Sequence, residues 1–203
     1  TPASWCLATS ADPGDTLRAV SGETESIETD GFREECGVFG IYGHPDAANL
    51  TYLGLYALQH RGQEAGGIAA WNGRRIAVEK GMGYVADLFD EARLARLPGR
   101  SAVGHVRYST AGASLLENAQ PIVYNTNKGP LAIAHNGNLV NADELRAELE
   151  REGSIFTTTS DTEVFLHLIA RSRAESLVEA LRDALARVRG AYSVVLLAGE
   201  KVV

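Results

Sequence analysis

Cys36 is the residue in this sequence best placed to act as a nucleophile. It stands where a polar, acidic stretch gives way to the apolar run Cys36-Gly-Val-Phe-Gly-Ile-Tyr42. A cysteine beside an apolar strand is more often an inert buried thiol. At this junction, however, cleavage of the Glu35–Cys36 bond would put a free α-amine and a thiol on one residue. The reference pKa values are ~7.7–8.0 for the amine and ~8.5 for the thiol, so proton transfer between them is almost thermoneutral. Cys36 would then supply both nucleophile and general base.

Other groups could grip a substrate. Arg107, in Gly104-His-Val-Arg-Tyr-Ser-Thr-Ala-Gly112, ends a predicted strand. Its guanidinium can hold a carboxylate through two parallel hydrogen bonds, although a structural ion pair is the commoner use. Asp161, in Thr157-Thr-Thr-Ser-Asp-Thr-Glu163, falls in the first turn of a predicted helix. Its carboxylate could hold a substrate ammonium or simply complement the helix dipole. Asn136-Gly137, in Ala134-His-Asn-Gly-Asn-Leu139, could be a plain turn. It could also offer a side-chain amide and a backbone N–H to a developing oxyanion. The five histidines (His44, His60, His105, His135, His167) lack metal-ligand spacing. His105 and His135 both sit on predicted strands, where structural hydrogen bonding is the expectation. No phosphate-binding Gly-rich loop or dinucleotide fingerprint is present.

The elements that must position these groups follow from pattern. A buried strand starts at Cys36. A helix is predicted over about 47–60, with Asp46 as N-cap and Leu50, Leu53, Gly54, Ala57 and Leu58 on one face. Residues 67–80 read as a hairpin through Asn72-Gly73. A helical piece over 86–97 ends at Pro98-Gly99, and strands at 102–107 and 131–135 flank a long polar loop. Asn141 and Glu144 are predicted as N-cap and N3 of a helix, and Ser160 with Glu163 as a capping box. A last helix over 175–188 ends with Gly190 at C′, before a strand at 191–198. Such alternation predicts a layered fold of both element types with much antiparallel sheet.

The chain of 203 residues has 45% hydrophobic and 22% charged residues, the range of a globular domain with a sizeable core. Its net charge of −7 is uneven. Residues 1–35 hold eight acids against two bases, leaving 18 acids against 17 bases in 36–203. The acidic stretch, without apolar periodicity, is expected to be a disordered leader or propeptide. The near-neutral body offers no basic face for nucleic acid. Only Cys6 and Cys36 are present, which excludes a disulfide scaffold or a multi-cysteine metal site within this piece. With no signal-peptide pattern and no apolar run long enough to span a bilayer, the expectation is a cytoplasmic protein that does not engage membrane. The start at Thr1 and the end inside a strand-like run read as a piece of a longer protein.

Taken together and in order, these motifs resemble the class II glutamine amidotransferases, a branch of the N-terminal-nucleophile hydrolases. The resemblance rests on Glu34-Glu-Cys-Gly-Val-Phe-Gly40, Leu58-Gln-His-Arg-Gly-Gln-Glu-Ala-Gly66, Gly104–Gly112, Ala134–Leu139 and Thr158–Glu163, and reaches from Glu34 to the C-terminus. Within the class, Leu-Gln-His-Arg-Gly and His-Val-Arg-Tyr-Ser-Thr-Ala-Gly are most similar to the phosphoribosyl-diphosphate-dependent branch of purine synthesis. The resemblance implies an α+β fold of four layers, αββα, with two stacked antiparallel sheets.

It implies roles as well. Cys36 would be the nucleophile, released by cleavage between Glu35 and Cys36. Asn136 and Gly137 would form the oxyanion hole. Arg107 would bind the glutamine α-carboxylate and Asp161 the α-amine, with Arg61, Gly62 and Thr110 shaping the glutamine site. The ammonia would pass to phosphoribosyl diphosphate, giving 5-phosphoribosylamine at a transferase domain expected after residue 203. No cofactor is implied within this chain. For the full-length protein Mg2+ is implied and, as often in related precursors, a 4Fe–4S cluster, together with assembly as a homo-oligomer. The alternatives are another class II glutaminase such as that of glucosamine-6-phosphate synthase, an acylase acting on larger amides, and an uncleaved, inactive precursor or glutamine sensor.

Overall fold

A computed structural model describes residues 36–59, 63–108 and 115–203. The acidic stretch 1–35, Arg61, Gly62 and Thr110 lie outside the described residues, as does Glu35. Two four-stranded antiparallel sheets form the centre. The first has the order β1 (Gly37–Ile41), β4 (Ser101–Tyr108), β2 (Gln63–Trp71), β3 (Ile76–Met82). The second has the order β5 (Ile122–Thr126), β6 (Gly129–Leu139), β7 (Gly190–Ala198), β8 (Lys201–Val202).

Three apolar clusters correspond to three interfaces between four layers. Ala69, Val103, Ala132 and Leu197 join the two sheets, flanked by Trp71, Val195 and Val202. Small side chains at this centre let the sheets approach closely. A second cluster packs helix α1 (Ala47–Ala57) and the short α2 (Val85–Leu88) on the outer face of the first sheet through Phe39, Leu55, Ile68 and Val106. The third packs α4 (Ala142–Arg151), α5 (Thr162–Arg171) and α6 (Leu177–Arg187) on the second sheet through Ile133, Leu149, Phe165 and Leu196. The αββα layering expected from the sequence is the one observed.

The hairpin through Asn72-Gly73 forms, with the Asn72 side chain accepting from the N–H groups of Arg74 and Arg75. The first helix forms but buries Ala47, Ala48, Thr51 and Leu55, while Leu53 is exposed. Of the expected face, Gly54 does turn inward, against the Phe39 ring, where a Cβ would come within 2.5 Å. Asp46 occupies its N-cap position without a side-chain cap. The piece at 86–97 is broken into α2 and α3 (Glu91–Ala95), with Asp90 capping the latter through Arg93 N–H.

Asn141 precedes α4 but turns its amide to Arg187 and Arg189 instead of capping. Glu163 does not reach back to Ser160 as a capping box would; Ser176 caps α6, its Oγ accepting from Glu179 N–H and donating to Glu179 Oε2. Gly190 is not a helix C′ residue but opens β7, opposite Leu139. The long polar loop before 131 contains an unforeseen strand, β5. Asn136-Gly137 is not a turn, since β6 runs straight through it.

Candidate active site

Cys36 immediately precedes β1, and the β1–β4 register brings it beside the end of β4. The Tyr108 N–H donates to Cys36 Sγ at 3.4 Å, and the thiol faces the Tyr108 carbonyl at 3.7 Å. The Tyr108 hydroxyl donates to the Leu58 carbonyl, fixing this corner to the end of α1. Arg107 is thus next to the residue that touches the thiol. Its Nη1 is buried, without a hydrogen bond among the described residues, and 3.7 Å from Glu64 Oε2.

Two cross-sheet contacts show how β4 and β6 are stacked. Ser101 Oγ, at the start of β4, donates to Glu200 O in the turn beyond Ala198, which pairs with Leu131 near the start of β6. Further along both strands, His105 Nε2 lies 3.0 Å from the His135 carbonyl. The strands therefore advance in the same direction. Their ends, Arg107-Tyr108 on one sheet and Asn136–Leu139 on the other, lie at one end of the sandwich, together with Cys36.

At that end, the edge of β6 facing β5 presents the N–H groups of alternate residues. Ile133 pairs with Ile122 of β5. His135 N–H donates to Gln120 Oε1 at 2.7 Å, and Leu139 N–H to Asp161 Oδ2 at 3.0 Å. By the same alternation, the Gly137 N–H turns to this edge, between the Gln120 amide and the Asp161 carboxylate. Gly137 is itself exposed, and Asn136 is half-buried. Only glycine fits here: φ is +132° and a Cβ would lie 2.2 Å from the Ala191 carbonyl.

Asp161 occupies the position before α5 and is tied to β6 from two sides, since His135 Nδ1 lies 3.5 Å from its Oδ1. Burial raises the Asp161 pKa, but the bond and charge of His135 and the N–H groups of Leu139 and Thr162 outweigh it. The carboxyl is held below its usual range. It is therefore an ionised group able to receive a cation.

The loop leading to Asp161 is held by Glu163, which is fully buried. Glu163 accepts from Thr157 N–H at 2.8 Å, from Thr158 N–H and hydroxyl at 2.7 Å each, and from the Tyr124 hydroxyl. Asn118 adds a two-point clasp on Thr159. Burial raises the Glu163 pKa, yet these donors hold it below the usual range. Sequence reasoning placed Glu163 in a capping box and missed this role. It also missed Gln120 and the contact of Tyr108 with the thiol; none of these has a local sequence signal. The structural hydrogen bonding expected of His105 and His135 is observed. Burial drives His105 down to about 3, so it is the neutral ring whose Nε2–H donates to the His135 carbonyl.

Among the described residues, no group of three His, Cys, Asp or Glu side chains is arranged to hold a metal ion. No helix among them is long and apolar enough to cross a membrane, which says nothing of a β-barrel.

Comparison with known proteins gives a consistent result. A model of the glutamine amidotransferase domain family matches residues 105–202. An amidophosphoribosyltransferase of Bacillus subtilis is 48% identical over 171 residues, 84% of this chain and 36% of that protein. A chloroplastic amidophosphoribosyltransferase of Arabidopsis thaliana is 52% identical over 180 residues, 89% of this chain and 34% of that protein. The solved structure of the B. subtilis glutamine phosphoribosylpyrophosphate amidotransferase complexed with ADP and GMP superposes with a TM-score of 0.74 at 46% identity. That match covers 80% of this chain and 35% of the other. The chain thus spans about a third of the length of the relatives it matches. The fold is the αββα arrangement of the N-terminal-nucleophile hydrolases, and over residues 105–202 the chain matches the glutamine amidotransferase domain family.

Proposed function

We propose that this chain is the glutaminase part of an amidophosphoribosyltransferase and releases ammonia from glutamine through a thioester on Cys36. The observation that carries the reading is the β6 edge. There the Gly137 N–H and the ionised Asp161 carboxylate lie two strand positions apart, at the end of the sandwich where Cys36 precedes β1. Two positions span about 7 Å. That is close to the length of an extended glutamine from its α-nitrogen to its amide oxygen.

In the reaction, the α-amine of a Cys36 freed from the preceding residues takes the thiol proton. The sulfur attacks the amide carbon, and the oxyanion is received by the Asn136 side-chain amide and the Gly137 N–H. The Cys36 ammonium protonates the departing nitrogen, the C–N bond breaks and ammonia leaves. Water then adds to the thioester, giving glutamate and restoring the thiol. Arg107 binds the α-carboxylate and Asp161 the α-ammonium, with Arg61, Gly62 and Thr110 completing the glutamine site. Because both ends of a free amino acid are matched, the reading favours glutamine over larger amides.

In the full-length protein the ammonia goes to phosphoribosyl diphosphate, giving 5-phosphoribosylamine for purine synthesis. The reading includes a homo-oligomer in the cytoplasm. Mg2+ and any 4Fe–4S cluster belong outside this chain. Two cysteines cannot supply the four thiolates of a cluster. The test compares glutaminase activity of full-length protein beginning at Cys36 with protein retaining the Glu35–Cys36 bond. Activity confined to the first form is expected; equal activity in both would refute the reading.

A further inference from the structure

We propose that Gln120 is a positioning residue for the oxyanion-stabilising edge. Its carboxamide substitutes for a strand that stops short, and so leaves the Gly137 N–H open for the reaction. The inference rests on the reading of Asn136 and Gly137 given above.

Strand β5 pairs with β6 only from Thr126↔Gly129 to Ile122↔Ile133. Two residues further along β6, the ladder is continued by a side chain. Gln120 Oε1 accepts from His135 N–H at 2.7 Å, and Gln120 Nε2 donates to the His135 carbonyl at 3.2 Å. A carboxamide carries the same donor and acceptor pair as a peptide group, so it reproduces one rung of an antiparallel ladder. A backbone strand would continue and take the Gly137 N–H as its next rung. A side chain ends after one.

The clasp is itself held rigidly. Gln120 is buried, and its own carbonyl passes over Gly67 of β2 so closely that a Cβ there would lie 2.2 Å away. The preceding carbonyl, of Ala119, accepts from Lys80 Nζ at 2.7 Å. From the opposite sheet, His105 Nε2–H donates to the same His135 carbonyl. The peptide leading into Asn136 is therefore fixed from both sheets, and with it the direction of the Asn136 amide and the Gly137 N–H. These groups matter most when charge develops on the substrate oxygen. Loosening them should weaken transition-state binding more than ground-state binding.

The test uses full-length protein beginning at Cys36 and two ligands. Glutamate, the product, reports ground-state binding. The γ-aldehyde analogue of glutamine adds the Cys36 thiol across its C=O, with the thiol proton moving to oxygen, and places a tetrahedral oxygen at the edge. Gln120→Leu should weaken the aldehyde at least ~10-fold and lower kcat similarly, with glutamate affinity changed less than ~2-fold. Gln120→Glu keeps the size and the acceptor but loses the donor, and should fall between Leu and wild type. It carries the test if the Leu variant does not fold. Equal losses for both ligands, or no loss for the aldehyde, overturn the inference. Asn136→Ala is measured alongside. If it leaves aldehyde binding intact, the oxyanion reading itself fails; if it weakens the aldehyde while the Gln120 variants do not, only the role of Gln120 fails.

Discussion

The His105 ring reaches across the sandwich to the His135 carbonyl at 3.0 Å, fastening the strand beside Cys36 to the strand that carries Asn136 and Gly137. Complete burial keeps the ring neutral, driving its pKa down to about 3 against the opposing pull of that bond. The unfolded chain would take up a proton near pH 6.5 that the native chain refuses. Stability therefore falls as pH drops below 6.5, by at most about 1.4 kcal/mol per unit for this residue. His167, also lowered, acts with the same sign. Asp161 and Glu163, whose folded pKa values are depressed, add their losses only below about pH 4.5. Urea unfolding between pH 4.5 and 6.5 should show this slope, and His105→Gln, which keeps a donor at the Nε2 position, should reduce it. An undiminished slope in the variant would contradict the assignment.

Gly137→Ala tests the geometry of β6. The new methyl would meet the Ala191 carbonyl at 2.2 Å, and φ of +132° is unfavourable for alanine. Strain of this kind costs about 1–3 kcal/mol, and relieving it displaces the backbone N–H, which alanine retains, from an oxyanion whose loss of one donor costs about 10²–10³ in rate. A lowered urea midpoint together with at least a ~100-fold fall in kcat is expected. Wild-type kcat in a stably folded variant would remove Gly137 from the mechanism.

Arg107→Lys and Asp161→Asn test recognition of the two ends of glutamine. The lysine cannot form the two-point bond to a carboxylate, and the asparagine loses the charge that receives the ammonium. Each should raise the glutamine KM at least ~10-fold with a smaller change in kcat. For the analogue lacking the α-amine, Asp161→Asn should change KM little. An unchanged glutamine KM for Arg107→Lys would refute the carboxylate contact.

Glu163→Gln tests the support of the loop before α5. Bonds from Thr157, Thr158 and Tyr124 to a buried carboxylate are charge-assisted, and the neutral amide also turns an N–H group towards donors. A loss of at least about 2 kcal/mol in unfolding free energy is expected, with a raised glutamine KM as Asp161 shifts. Stability within about 0.5 kcal/mol of wild type would show that the network is not needed.

The groups proposed for the chemistry could be picked out of the sequence more readily than the elements that carry them. Cys36, Arg107 and Asn136-Gly137 could be singled out because their residue types limit the reactions open to them. The four-layer fold followed from the family resemblance, and the apolar clusters bear it out. What escaped was set by tertiary contact. Asn136-Gly137 has the local signature of a turn, yet β7 holds it in a strand because Gly137 tolerates the Ala191 carbonyl. Glu163 has capping-box spacing, but its carboxylate is drawn to Thr157 and Thr158. Gln120 lies in a polar stretch with no periodicity, and its meaning appears only when His135 is opposite.

Cys36 is proposed to act as an N-terminal nucleophile in a glutamine site. The most direct measurement is mass spectrometry of the full-length protein after incubation with a glutamine-like diazo ketone, followed by mapping of the modified peptide. The expected product is a peptide that begins at Cys36 with a free α-amine, modified once on the thiol, and protected by glutamine. A peptide still joined through Glu35, or a label on any other residue with glutaminase activity intact, would contradict it.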